Sequence, residues 1–182
     1  MIQKLFIFFL FFSQVCIAQS TEKIFTERQG KITFFSYTPV ENIQASTNQA
    51  QSQFSAITNE IVVQIIMRTF QFKKSLMYEH FNESYIESDL YPKAFLQAKI
   101  EDFEPSQNDQ TRIITGNFTL RGITKPVMFK ANISKEGNRY RFTGELEVNI
   151  DDHKIKVPGV LSANIAKKIQ VSFNFQFEPD EK

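Results

Sequence analysis

Three stretches of the chain alternate apolar and polar residues with a period of two, the pattern of strands that bury one face. Val127, Phe129, Ala131 and Ile133 alternate with Met128, Lys130, Asn132 and Ser134. Tyr140, Phe142, Gly144, Leu146, Val148 and Ile150 alternate with Arg141, Thr143, Glu145, Glu147 and Asn149. Ile169, Val171, Phe173, Phe175 and Phe177 alternate with Lys168, Gln170, Ser172, Asn174 and Gln176. Less regular strands are predicted at 31–38, 53–57, 60–72, 94–103 and 112–121, several with apolar residues on both faces, as expected under a helix or loops. Between them lie turn residues: Glu136-Gly137-Asn138 closes one hairpin, 121–126 closes another, and 105–110 is a polar loop.

One segment breaks the alternation. From 76 to 92, Met77, Phe81 and Tyr85 recur every fourth residue, while Glu79, Glu83 and Glu87 share that spacing on nearly the opposite side. The pattern predicts a single amphipathic helix laid over the sheet as a lid. About eight strands with tight turns and one or two short helices predict an all-β antiparallel barrel or sandwich. A closed barrel of eight strands is either filled by side chains or just wide enough for one small ligand. Alternation alone favours the filled interior.

Composition adds a compartment and removes several functions. The chain has 182 residues, enough for one domain with a core, and carries 20 Phe against 5 Tyr and no Trp, so its aromatic content is almost wholly apolar. Lys4, the apolar run 5–12 and the small-residue ending Cys16-Ile17-Ala18 read as a secretory signal peptide, 1–18, cut before Gln19 and leaving a domain over 19–182. That predicts a periplasmic or secreted protein. The residue before Cys16 is Val15, too large for a lipid-modified cysteine, and the mature chain then has no cysteine for disulfides, thiol catalysis or thiolate metal sites. Losing the leader removes one lysine and no acid, taking the formal charge from +1 to zero. Without a basic run of five or more, nucleic acid is excluded as a partner. No segment after the leader approaches transmembrane length.

Candidate chemistry is sparse. Glu79, His80 and Glu83 place an imidazole and two carboxylates on neighbouring helical positions, a candidate metal or acid–base site. The other histidine, His153, lies in a separate turn, Asp151-Asp152-His153-Lys154, and zinc needs more His or Cys ligands than one helix supplies here. No Gly-x-Ser-x-Gly, Gly-x-Gly-x-x-Gly or Walker loop occurs. The expectation is no catalysis, no metal and no cofactor.

Four places carry a family likeness: Pro39-Val40-Glu41-Asn42-Ile43-Gln44-Ala45; the 70–92 block with Met77, Glu79-His80-Phe81-Asn82-Glu83 and Tyr91-Pro92; Gly116-Asn117-Phe118-Thr119-Leu120-Arg121-Gly122-Ile123-Thr124-Lys125-Pro126-Val127; and Val157-Pro158 followed by the strand at 169–177. Over nearly the whole mature chain they resemble the YceI-like family of exported bacterial lipid-binding proteins. The resemblance implies a lipocalin-like, antiparallel eight-stranded barrel closed near one end by a helix, holding a long polyisoprenoid chain and performing no catalysis. It reverses the preference for a filled interior. The expected pocket residues are Met67, Phe70, Phe72, Met77, Phe81, Phe118, Phe129, Phe142, Leu146, Val171, Phe173 and Phe175, with Tyr85 or Tyr91 closing the mouth. The glutamates of the helix disfavour a diphosphate head group by charge, leaving a quinone or neutral lipid at least as good a match as other isoprenoid-like lipids. Two alternatives stand beside this: a structural or interaction protein of the envelope with a filled barrel, and an enzyme using Glu79, His80 and Glu83. Oligomeric state is open, a dimer included.

Overall fold

The computed structural model describes residues 23–37, 42–157 and 166–180. The expected leader, 1–18, residues 39–41 of the first motif and Pro158 lie outside them. In chain order the elements are β1 (Ile24–Ser36), β2 (Ile43–Ser55), β3 (Glu60–Ile66), β4 (Gln71–Phe72), α1 (Ser75–His80), β5 (Lys93–Ile100), β6 (Asp109–Leu120), β7 (Ile123–Glu136), β8 (Arg139–Asn149) and β9 (Lys168–Pro179). The strands pair in the order β1-β9-β8-β7-β6-β5-β3-β2, and β2 pairs back to β1, so eight antiparallel strands close a barrel. The two-residue β4 hangs from β2 through Ala45 and Ser46. Of the all-β barrel or sandwich expected from the alternation, the eight-stranded barrel that the resemblance implied is the observed architecture.

Two turns show why the hairpins form where they do. Leu120 pairs with Ile123, leaving Arg121 and Gly122 as a two-residue turn with φ of 49° and 70°. Positive φ at both positions is the type I′ geometry, whose twist matches that of the strands. The turn is thus tighter than the 121–126 segment predicted, and β7 begins at Ile123. At the other end Glu136 pairs with Arg139, and Gly137 takes a φ of 61° in the intervening turn.

The closure is uneven. β7 and β8 pair only from Ala131↔Gly144 to Glu136↔Arg139, so residues 123–130 and 145–149 are not paired with each other. Counting from the Arg121-Gly122 turn, the odd-numbered residues of β7 hydrogen-bond to β6 and the even-numbered ones face this seam. Pro126 is even-numbered, so the N–H it lacks is missing from an edge that, among the described residues, no strand pairs with.

Three expectations are corrected. β1 and β2 begin well before the predicted 31 and 53; the first ten residues of β2 escaped notice because its buried positions are small or polar, Ala45, Thr47, Ala50 and Ser52. The strand predicted at 60–72 stops at Ile66, where the Thr69 hydroxyl donates to the Ile66 carbonyl at 2.6 Å and Phe70 N–H donates to the Met67 carbonyl at 3.3 Å, making a 3-10 turn. The helix predicted at 76–92 is α-helical only to His80, then widens into a π-helical turn, Phe81–Tyr85, in which Ile86 N–H donates to the Phe81 carbonyl at 2.9 Å. Buried Asn82 holds this widening: its side-chain amide donates to the Tyr78 carbonyl at 2.9 Å, and its side-chain oxygen accepts from the Ser88 hydroxyl at 2.7 Å.

One half of the interior is solid. Phe54 is fully buried and its ring lies 5.0 Å from Phe142, 5.1 Å from Phe103, 5.7 Å from Tyr140 and 5.9 Å from both Phe25 and Phe177. Most of these contacts are edge-on or tilted, the arrangements aromatic quadrupoles favour. Next to this plug, rings from β9 lie directly against glycines. A β-carbon on Gly144 would sit 2.7 Å from the Phe173 ring and 2.6 Å from the Lys130 carbonyl oxygen, and one on Gly30 would overlap the Phe175 ring. Gly30→Ala is therefore expected to lower stability by about 1–3 kcal/mol, the usual effect of overpacking, whereas exposed Glu83→Ala should stay within about 0.5 kcal/mol. Urea midpoints at unchanged slope measure both; equal losses would contradict the packing described.

Candidate ligand cavity

The other half of the barrel is hollow. A cavity of about 400 Å³ lies between the plug and the lid, within the range of small-molecule sites. Its barrel wall comes from inward positions near the strand ends: Ile32, Phe34 and Ser36 of β1, Ile43 of β2, Ile65 of β3, Ala94 of β5, Phe118 and Leu120 of β6, Val148 of β8, and Ile169 and Val171 of β9. Ile150, Ile155 and Val157, in the connection after β8, complete that side. The lid side supplies Met67, Phe70, Phe72, Lys74, Leu76, Met77, His80, Phe81, Tyr85 and Ile86. Nearly all of this surface is apolar.

Rings lock the lid to the barrel. Phe34 stacks on Phe81 at 5.4 Å and meets Phe70 at 5.2 Å and Phe72 at 5.7 Å; Phe72 in turn lies 5.1 Å from Phe81. Burial among these groups pushes the Tyr85 phenol above its ordinary pKa of 10, which keeps the hydroxyl neutral.

A second set of contacts fastens the lid's far end. The Arg121 side chain, projecting from the β6–β7 turn, pairs with Glu87, donates to the Lys154 carbonyl at 2.9 Å and lies over the Tyr91 ring at 5.4 Å. Beside it His153 is almost wholly buried, its ring 5.7 Å from that of Phe118. Its Nδ1 lies 3.1 Å from the Ile123 carbonyl and 3.3 Å from the Leu120 carbonyl, and because carbonyls only accept, Nδ1 carries the proton.

Of the residues expected to form the pocket, Met67, Phe70, Phe72, Met77, Phe81, Tyr85, Phe118 and Val171 stand on the cavity wall. Six do not. Phe142 and Phe175 are buried in the solid half of the barrel. Phe129 and Phe173 face each other at 5.7 Å beside the seam, and Leu146 is also partly buried there. Tyr91 packs on Arg121 outside the cavity, so of the two tyrosines expected at the mouth only Tyr85 reaches it. The cluster Glu79, His80 and Glu83 does not converge: His80 reaches the wall, while both glutamates are exposed and off it. The two glutamates are thus not part of the cavity wall, whereas Lys74 is.

The model of the YceI-like domain matches residues 17–177. The chain belongs to the YceI-like family. Among curated relatives, UPF0312 protein of Pseudomonas putida KT2440 is 35% identical over 88 residues, covering 44% of each chain, and UPF0312 protein of Pseudomonas fluorescens SBW25 is 38% identical over 66 residues, covering 33% of this chain and 34% of that one. These matches span at most about half the length of the relatives. Similar solved structures include a polyisoprenoid binding domain from Saccharophagus degradans (TM-score 0.73, 11% identity, 87% of this chain and 99% of that one). Burkholderia cenocepacia BcnA aligns with a TM-score of 0.70 and 15% identity over 81% of this chain and 95% of its own. At such identities the likeness is one of fold.

Among the wall residues that sequence reasoning missed are Ile32, Phe34, Val148, Ile150, Ile169 and Ile86. Val148, Ile150 and Ile169 continue alternations already visible, so there depth along the barrel, not facing, was misjudged. Ile86 lies five residues after Phe81, a spacing that only the π-turn brings to the wall.

His153 supplies a pH signature. Burial lowers its pKa below the ordinary 6.5, partly opposed by the two carbonyls and by Asp152. As the pH falls past 6.5 the unfolded chain takes up a proton that the folded chain does not, so stability should drop until the folded histidine itself titrates, then level off. His153→Gln should remove that slope, as measured by denaturant unfolding across the pH range; an unchanged slope would assign it elsewhere.

Proposed function

We propose that this chain binds an apolar, isoprenoid-like lipid or quinone in the cavity and carries out no chemical step. The observation that carries the reading is a hollow half-barrel of about 400 Å³ whose wall is almost entirely aliphatic and aromatic, beneath a helical lid. Burial of apolar surface supplies about 0.8 kcal/mol per CH₂, so a ten-carbon stretch gains about 8 kcal/mol, against association losses of about 4–15 kcal/mol and about 1 kcal/mol for a neutral hydrogen bond. The apolar chain therefore dominates affinity, and a single head-group contact only orients it.

Met67 and Met77 suit such a cargo because unbranched thioethers repack around an irregular chain. The enzymatic alternative loses its geometry, since Glu79 and Glu83 stand off the wall where a bound molecule would sit. The family membership and the Saccharophagus degradans fold neighbour, described as a polyisoprenoid binding domain, support the same ligand class. The leader-like residues 1–18 support residence of the 19–182 domain in the periplasm or outside the cell.

The test is to purify the protein from its native compartment, extract it with organic solvent and identify carried molecules by mass spectrometry. A polyprenyl lipid or quinone at near-stoichiometric yield is expected; a protein that arrives empty and binds no added polyprenyl quinone overturns the reading. Ala94, almost fully buried on the cavity wall, offers a second measure. Ala94→Phe fills the void and should reduce quinone binding at least about tenfold, which is about 1.4 kcal/mol, while the fold persists by circular dichroism.

A further inference from the structure

The cavity mouth is ringed by apolar and basic side chains that are exposed to solvent. Tyr37 follows wall residue Ser36 and is 75% exposed. Leu76 lies on the wall at the start of α1, yet is 59% exposed. Lys73 and Lys74 are exposed immediately before that helix, and Lys156 is exposed between wall residues Ile155 and Val157. Three nearby acids are engaged by cations: Glu87 by Arg121, Asp89 by Arg68 and Asp151 by Lys167. Glu79 and Glu83 are exposed on the lid but away from the wall.

Single exposed apolar residues are ordinary; an apolar pair set among lysines around an apolar cavity mouth is a surface of particular chemistry. We propose that this rim docks on an anionic lipid bilayer, with Lys73 and Lys156 toward the head groups and Tyr37 and Leu76 in the interface. Lysines near an anionic surface attract it, and amphipathic tyrosine favours the interfacial layer. The bilayer is the occupant the chemistry selects because the mouth opens into an apolar cavity whose cargo resides in lipid and has negligible concentration in water. This proposal rests on the cavity reading above.

Flotation with phosphatidylglycerol-containing vesicles, compared with pure phosphatidylcholine vesicles, tests it on the full mature protein. Binding is expected to the anionic vesicles and to be lost at about 1 M salt, where the screening length falls to about 3 Å. Lys73→Gln and Lys156→Gln should each weaken partitioning about fivefold, the equivalent of about 1 kcal/mol per lysine. Tyr37→Ser should weaken it without altering the salt dependence. Lys99→Gln, an equal charge change on β5 near the solid end of the barrel, should have no effect. No binding to anionic vesicles, equal binding to both vesicle types, or equal damage from Lys99→Gln and Lys73→Gln would overturn the proposal. Lipid extraction of the same samples separates the two readings: carried lipid without docking sinks only the rim, and docking by a protein with an empty cavity that takes up no quinone sinks only the cavity.

Discussion

The width of an eight-stranded barrel governs the whole interior, because it is close to the reach of two facing side chains. Where both are rings they meet, as Phe54 does with Phe25, Phe142 and Phe177, and the space is closed. At the cavity depth most barrel positions are aliphatic, as with Ile32, Ala94, Val148 and Val171, and the space stays open, with Phe34 and Phe118 the rings on that barrel wall. The plug and the cavity thus divide one barrel between two depths. Gly30 and Gly144 refine it, since without a β-carbon they let Phe175 and Phe173 lie against the backbone.

The mouth is held by a different kind of interaction. The β6–β7 turn needs two left-handed residues, and the second is glycine while the first, Arg121, uses its side chain to join the lid, through Glu87, to the connection after β8, through the Lys154 carbonyl. Lys154 is itself left-handed, at φ 53°. Such conformations persist where surrounding contacts over-determine them, and here those contacts tie three segments together at the cavity end. His153, donating to the same turn from the next residue, strengthens the tie. The motif 116–127 that carries the family likeness therefore encodes a tight turn, an arginine that fastens the lid, and a proline at an unpaired edge.

The lid shows how a local irregularity alters a site. A uniform α-helix would have placed Met77, Phe81 and Tyr85 in one stripe and turned Ile86 aside. The widened turn held by Asn82 and Ser88 brings Ile86 under the lid as well, almost fully buried. Its cause is a pair of buried polar side chains that must satisfy one another, a requirement invisible to a hydrophobic pattern.

Much of the fold was legible in residue order, because facing in a strand depends only on parity. The alternations at 127–133, 140–150 and 169–177 identified inward positions correctly, and the turn segments at 121–126 and 136–138 located the hairpins, whose turns proper are 121–122 and 137–138. Most of β2 was illegible, since its buried residues before Phe54 are Ala, Thr and Ser. Among inward residues the sequence could not separate wall from plug: Val171 and Phe175 share a strand face, yet one lines the cavity and the other fills the barrel. Parity determined that both point inward. Only the closed barrel, by setting how deep each lies and what stands across from it, decided which of them leaves room for a ligand.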